Sequence, residues 1–246
     1  MKTPAIITAL ALAVALPLIA GPTGPPEGFT ALFNGKDLSG WWGAKTENPA
    51  KYLALPADQL ADKKKKSLED INKHWSVKDG VLVNDGHGLF LTSEKNFSDF
   101  ELRLEYKTVA NADSGVYLRG CPQVQIWDTT EAGGKWKIGA DKGSGGLWNN
   151  SKGAPGKDPL VLADKPFGEW NTLRVVMAGE IVSVWLNGKL VVDLAKFENY
   201  FNRKGGLPPE GPIQLQTHGG AISWQNVFIR EIDAEESEKI QKKAAK

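Results

Sequence analysis

The chain has 246 residues, a length that suits one large β domain or two small ones. A formal net charge of +1 excludes a general binder of nucleic acid or acidic polymers. A single cysteine, Cys121, excludes an intrachain disulfide, so stability must come from a packed core.

Residues 1–20 carry Lys2 and then an apolar run from Ala5 to Ala20 broken only by Thr8 and Pro17, the outline of a secretory signal peptide. The run is short for a spanning helix. The expectation is a periplasmic or secreted protein with no stable membrane anchor once the leader is removed after Ala20. Residues 21–28 read as a Pro/Gly linker, 29–232 as the folded domain and 233–246 as a charged, helix-prone, peripheral tail. Within the domain, residues 45–73 are polar and include the run Lys63–Lys66. This insertion is expected on the surface, with a helix over Ala57–Ile71 whose apolar points are Leu60 and Leu68.

From Trp75 onward the signals are β. Trp75–Val77, Val81–Val83 and Leu89–Thr92 are short strands separated by the turn dipeptides Asp79-Gly80 and Asp85-Gly86. Phe100–Lys107 alternates, with Phe100, Leu102, Leu104 and Tyr106 on a core face and Glu101, Arg103, Glu105 and Lys107 on a solvent face. Gly115–Arg119 and Gln123–Trp127 are strands joined by Gly120-Cys121-Pro122. Trp170–Met177, Ile181–Leu186, Leu190–Val192, Ile213–His218 and Trp224–Ile232 follow, with a hairpin at Asn187-Gly188. Between Thr129 and Phe167 lies a Gly-, Asn- and Lys-rich segment whose length and two tryptophans, Trp136 and Trp148, point to function rather than a disordered linker. Many short strands with turn signals indicate an all-β antiparallel sandwich.

Period-two alternation brings out the candidate site. Val116 and Leu118 share one face of their strand, and Gly115, Tyr117 and Arg119 the other. Val124 and Ile126 oppose Gln123, Gln125 and Trp127. Ile213, Leu215 and Thr217 oppose Gln214, Gln216 and His218. Amides, aromatics and a cation on one face are what a sugar-binding groove needs: apolar plates and neutral hydrogen-bonding forks. The three histidines are scattered, and no zinc spacing is present, so no metal ligands are assigned. Asp113, Asp128 and Glu131 form only a weak oxygen-ligand pattern for a cation. Cys121 reads as structural more readily than as a nucleophile. The residues name no cofactor.

FTALFNGKDLSGW, WSVKDGVL, FSDFELRLEYK, NADSGVYLRG, QVQIWD, EWNTLRVVMAGEIVSVWLNGKLV and GPIQLQTHGG resemble, in order, the 3-keto-disaccharide hydrolase family over about Phe29 to Ile232. The resemblance implies a concanavalin A-like jelly-roll β-sandwich of two antiparallel sheets. It also implies cleavage of glycosides already oxidised to a ketone at carbon 3. The ketone acidifies the proton on carbon 2, so a general base forms an enolate that expels the glycosidic oxygen. On that chemistry His218, Asp128 and Arg119 are the catalytic candidates: a base or acid, a proton-handling carboxylate and an enolate-stabilising cation. Tyr117, Gln123, Gln125, Trp127, Trp148, Asn150, Gln214 and Gln216 are the substrate-binding candidates. Gln123 departs from the resemblance, because many family members carry Glu there. The rival expectation is a carbohydrate-binding, lectin-like domain without catalysis.

Overall fold

The computed structural model describes residues 23–246; the expected leader and its cleavage site lie outside them. The described residues form two antiparallel sheets packed face to face. The strands are β1 (Thr30–Ala31), β2 (Trp41–Ala44), β3 (Trp75–Lys78), β4 (Val81–Asn84), β5 (Phe90–Phe97), β6 (Phe100–Thr108), β7 (Asp113–Leu118), β8 (Cys121–Trp127), β9 (Asn171–Ala178), β10 (Ile181–Leu186), β11 (Lys189–Lys196), β12 (Gly211–Leu215) and β13 (Ile222–Glu231). One sheet has eight strands in the order β11-β10-β9-β6-β13-β4-β3, with β1 also on β13; the other has five in the order β2-β5-β12-β7-β8. This is the jelly-roll-like β-sandwich expected from the sequence.

The core is the space between the sheets. Leu91, Val116, Leu118, Val124, Ile126, Ile213 and Leu215 of the smaller sheet meet Leu82, Phe100, Leu102, Leu104, Tyr106, Leu173, Val175, Val184 and Trp224 of the larger. Each fully buried aliphatic or aromatic side chain contributes about 1.5–3 kcal/mol. Alternation therefore fixes the register, because a slip of one residue exchanges both faces of a strand.

Asp79-Gly80 and Asn187-Gly188 are hairpin turns in which both residues have positive φ, as anticipated. The link between β7 and β8 differs from expectation. Leu118 pairs with Cys121, so the two-residue turn is Arg119-Gly120, with φ of 52° and 71°. Arg119 is thus a turn residue, and strand alternation does not govern where its side chain goes. Glu101 also departs from the expected solvent face: it is buried and bound by Arg103, Arg174 and Arg230.

The polar insertion folds into two helices, α1 (Pro49–Leu53) and α2 (Ala57–His74). The sequence reading had only the second. One stripe of α2 lies along β2: Leu60 packs on the Trp42–Tyr52 cluster, Lys64 Nζ sits 5.7 Å from the Trp42 ring, and Ile71 enters the main core. Ser67 Oγ accepts the Gly43 amide at 2.8 Å. Gly43 is glycine because a Cβ there would lie 2.9 Å from Ile71 and 2.8 Å from Leu89. Leu68, an expected apolar point, faces outward. The tail forms α3 (Ala234–Ala244), capped by Asp233 and docked rather than peripheral: Ser237 Oγ donates to Asp99 and Arg230 pairs with Glu236. No helix of the described residues is long and apolar enough to cross a membrane.

Candidate functional site

The outer face of the five-stranded sheet carries the residues that alternation singled out, Arg119 excepted. Register sets them in rows. Thr92, Gln214 and Tyr117 lie side by side across β5, β12 and β7, and Gly115 faces Gln125 across β7 and β8. The next row pairs Asp113 with Trp127. The Asp113 amide donates to Gly219 at 2.8 Å, which brings His218 alongside.

Asp113 is the hub. Its Oδ2 lies 2.8 Å from Nδ1 of His218 and also takes a hydrogen bond from Nζ of Lys135. Its Oδ1 accepts Nε2 of Gln125 at 2.8 Å, and the Oε1 of Gln125 in turn accepts Nε2 of Gln123. His218 is exposed while Asp113 is largely buried, with side chains 64% and 12% accessible. With Nδ1 held on the carboxylate as a donor, the neutral imidazole presents the Nε2 lone pair to solvent, which is the orientation a general base requires.

Beside this dyad lies a row of amides with unused acceptors. Gln216 Nε2 donates to Tyr117 Oη at 3.4 Å, and Gln214 Nε2 to Thr92 Oγ1 at 3.0 Å. The Oε1 atoms of Gln123, Gln214 and Gln216 are buried without a hydrogen-bond partner. A buried acceptor left unmatched costs about 1–3 kcal/mol, so three on one face concentrate unmet hydrogen-bonding capacity beside the dyad. Gly115 makes the arrangement possible: a Cβ there would stand 2.7 Å from Gln123 Oε1. Tyr117 Oη also contacts Thr46 Oγ1 at 2.8 Å. Burial pushes its phenol up to about 12, with Tyr200 and Asp113 adding to the rise, so it keeps its proton at neutral pH.

The remaining candidates fall elsewhere. Arg119 is buried at the far end of β7, about 20 Å along the strand from Asp113 at 3.4 Å per residue. Its guanidinium binds Asp99 at 2.6 Å and the carbonyls of Ser98 and Pro208. It is a structural ion pair, and the enolate-stabilising assignment does not hold for it. Asp128 sits next to Trp127, but both its oxygens are committed, Oδ2 to the Asn111 amide and Oδ1 to the amide and hydroxyl of Thr130. Burial opposes its charge, yet those hydrogen bonds and Lys135 hold its carboxyl below the usual range, which suits a loop cap better than a proton carrier. Asn150 clamps the long loop to the end of β11 through the Lys196 carbonyl and the Glu198 amide. Trp127 and Trp148 do meet, edge to face at 6.1 Å. Trp127 is covered by the loop and donates to Gly143; Trp148 is half-buried, with Lys157 Nζ 5.0 Å from its ring centroid, and is the more exposed of the two. Burial pushes the Cys121 thiol up to about 12, which removes it as a nucleophile. No group of His, Cys, Asp and Glu among the described residues is placed to hold a metal ion.

Two members of this cluster, Asp113 and Lys135, are not among the residues the sequence singles out for catalysis or binding. Asp113 reads there only as a weak cation ligand, although it stands two residues before Gly115 on the same face of β7. Lys135 lies in the long loop, between single-turn 3-10 helices at Glu131–Gly133 and Trp136–Ile138, where no periodicity marks it.

Residues 28–230 match the family model described as the 3-keto-alpha-glucoside-1,2-lyase-like domain. A 3-keto-disaccharide hydrolase of Bacteroides thetaiotaomicron is 24% identical over 252 residues, spanning 84% of this chain and 79% of the relative. Two solved structures from Parabacteroides distasonis, both provisionally named as glycosyl hydrolases, share the fold. One has a TM-score of 0.56 at 24% identity over 84% of this chain and 95% of its own; the other has 0.56 at 22% over 90% and 94%. Because that match spans most of its length, the chain belongs to the 3-keto-alpha-glucoside-1,2-lyase-like family.

Proposed function

We propose that the chain is a carbohydrate enzyme that opens the glycosidic bond of 3-keto-glycosides. The observation that carries this reading is the Asp113–His218 dyad, open to solvent beside three unmatched glutamine oxygens. Family membership and the name of the Bacteroides relative supply the substrate class.

In this mechanism Nε2 of His218 removes the proton on carbon 2 of the keto sugar, and the electron pair moves onto the carbon-3 oxygen as an enolate. Asp113 orients the imidazole and stabilises it once charged. Lys135, the cation nearest the dyad, takes the stabilising role first given to Arg119. Re-formation of the ketone expels the glycosidic oxygen, which takes up a proton, leaving a carbon 1–carbon 2 double bond. Water adding across that bond yields the free 3-keto sugar. Gln123, Gln214 and Gln216 accept hydrogen bonds from the sugar hydroxyls, and Trp148 offers an apolar plate. Export before activity remains part of the proposal, on the strength of residues 1–20.

The test is to incubate the purified protein with p-nitrophenyl 3-keto-α-glucoside and with its unoxidised parent. Release from the oxidised compound alone supports the reading. Saturable binding of both without release favours a lectin-like domain, for which the neutral Gln123 is the specific argument.

A further inference from the structure

A cavity of about 580 Å³ opens on the outer face of the eight-stranded sheet, on the other side of the sandwich from His218. That volume falls among small-molecule sites, roughly 300–1,000 Å³. Its floor and walls include Arg103 and Glu105 of β6, Thr172 and Arg174 of β9, Trp185 of β10 and Asn226 of β13.

Arg103 and Arg174 are direct cross-strand partners. Like charges placed so are ordinarily destabilising. Here both Nε atoms donate to Oε1 of the buried Glu101, at 2.8 and 2.7 Å. The Glu101 carboxylate is thereby fully engaged, with Arg230 on its other oxygen and Glu236 balancing Arg230. Both guanidinium planes are also covered: Arg174 stacks 4.2 Å from the Trp185 ring centroid and Arg103 lies 4.5 Å from that of Phe29. Tethered to Glu101 at Nε, and in Arg174 also at Nη2, and stacked on their faces, the two groups keep the two Nη atoms of Arg103 and Nη1 of Arg174 for a ligand. Neither Nη atom of Arg103, nor Nη1 of Arg174, has a protein hydrogen-bond partner among the described residues. Guanidinium N–H groups left open in this way match the oxygens of a carboxylate or sulfate.

Glu105 gives the cavity its second character. It lies two residues along β6 from Arg103, with Oε2 accepting Gln225 Nε2 at 2.6 Å, opposite Thr172. The Glu105 carboxylate and the Thr172 hydroxyl at that end suit sugar hydroxyls. We propose that the cavity is a second ligand site, taking a saccharide that carries an oxoanion: a uronate carboxylate or a sulfate ester at the arginine edge, hydroxyls at Glu105 and Thr172. Its saccharide part rests on the carbohydrate reading above, whereas its anion part does not.

Calorimetric titration of the full chain with digalacturonate, glucose 6-sulfate, inorganic sulfate and cellobiose tests it. At least one of the first two binds tenfold or more tighter than cellobiose and than inorganic sulfate, and which one does so names the oxoanion. Arg174→Gln and Arg103→Gln each weaken that binding by roughly tenfold or more, as loss of a charge-assisted hydrogen bond requires. Thr172→Trp fills the cavity while leaving both arginines and Glu101 in the sequence, and abolishes binding in a chain of wild-type circular dichroism. His218→Ala leaves binding unchanged, which separates this site from the groove even if the groove proves inactive. Binding of both acidic saccharides no tighter than cellobiose, or wild-type binding by Thr172→Trp, overturns the proposal. Equal binding of inorganic sulfate overturns its saccharide part, and loss of binding in His218→Ala relocates the ligand to the groove.

Discussion

Nδ1 of His218 lies 2.8 Å from Oδ2 of Asp113, although the two residues are 105 positions apart. The contact joins the segment after β12 to the start of β7, neighbouring strands in the smaller sheet. It fixes which imidazole nitrogen faces solvent. Asp113→Asn is therefore expected to lower kcat on a 3-keto-glucoside by roughly 10²-fold or more with KM little changed, the range of a general-base contribution. Equal losses in kcat and in the thermal transition would instead assign Asp113 a purely structural role.

Lys135 and Arg119 give opposite expectations. Lys135→Gln removes the charge beside the dyad and lowers kcat by roughly 10²-fold, the scale of one lost stabiliser of a developing anion. Arg119→Ala leaves Asp99 without its buried partner and destabilises the fold by about 3–5 kcal/mol. Activity per folded molecule stays at the wild-type level. Urea unfolding combined with active-fraction assays separates the two.

Gly115→Ala places a methyl group where the Gln123 carboxamide now lies. The methyl would also stand 2.8 Å from the Val124 carbonyl, so the variant strains the β7–β8 pairing as well as breaking the relay through Gln125 to Asp113. KM is expected to rise about tenfold, with a smaller fall in kcat, whereas Gln214→Leu raises KM alone by severalfold because it removes a single acceptor. Steady-state kinetics on the two variants checks both.

Glu101 controls the acid limit of the fold. Burial opposes its ionisation, but hydrogen bonds from Arg174, Arg103 and Arg230 outweigh that and hold its carboxyl at about 2, against 4.5 for a free glutamate. The folded value is depressed, so its stabilisation is complete above about pH 4.5 and is lost as pH falls toward 2. Glu101→Gln is expected to be several kcal/mol less stable at pH 7, because three guanidiniums lose their common anion. The gap to wild type should close between pH 4.5 and 2 in acid-titrated thermal melts.

Much of this was legible in the sequence because period-two alternation is a direct statement about faces. Gln123, Gln125, Gln214, Gln216 and Tyr117 share one surface since Val116, Val124, Ile213 and Leu215 are committed to the core. The same rule misplaced Arg119, where a two-residue turn ends the strand and positive φ redirects the side chain. It also reaches Asp113, which belongs to the alternating series but lies before the apolar run that drew attention. Lys135 and the clamp made by Asn150 depend on how the long loop folds back, and no local period encodes that. Glu101 looked solvent-facing because alternation cannot show that three arginines converge on one carboxylate.

The central claim is that His218 removes the carbon-2 proton of a 3-keto sugar. The most direct measurement is proton NMR of 3-keto-glucoside turnover in D2O, with wild-type protein and His218→Ala compared at equal folded concentration. The account predicts aglycone release with deuterium at carbon 2 of the recovered sugar for wild type, and a fall of roughly 10²–10⁴-fold in both for the variant. Release by wild type without deuterium at carbon 2, or undiminished turnover by His218→Ala, would contradict it.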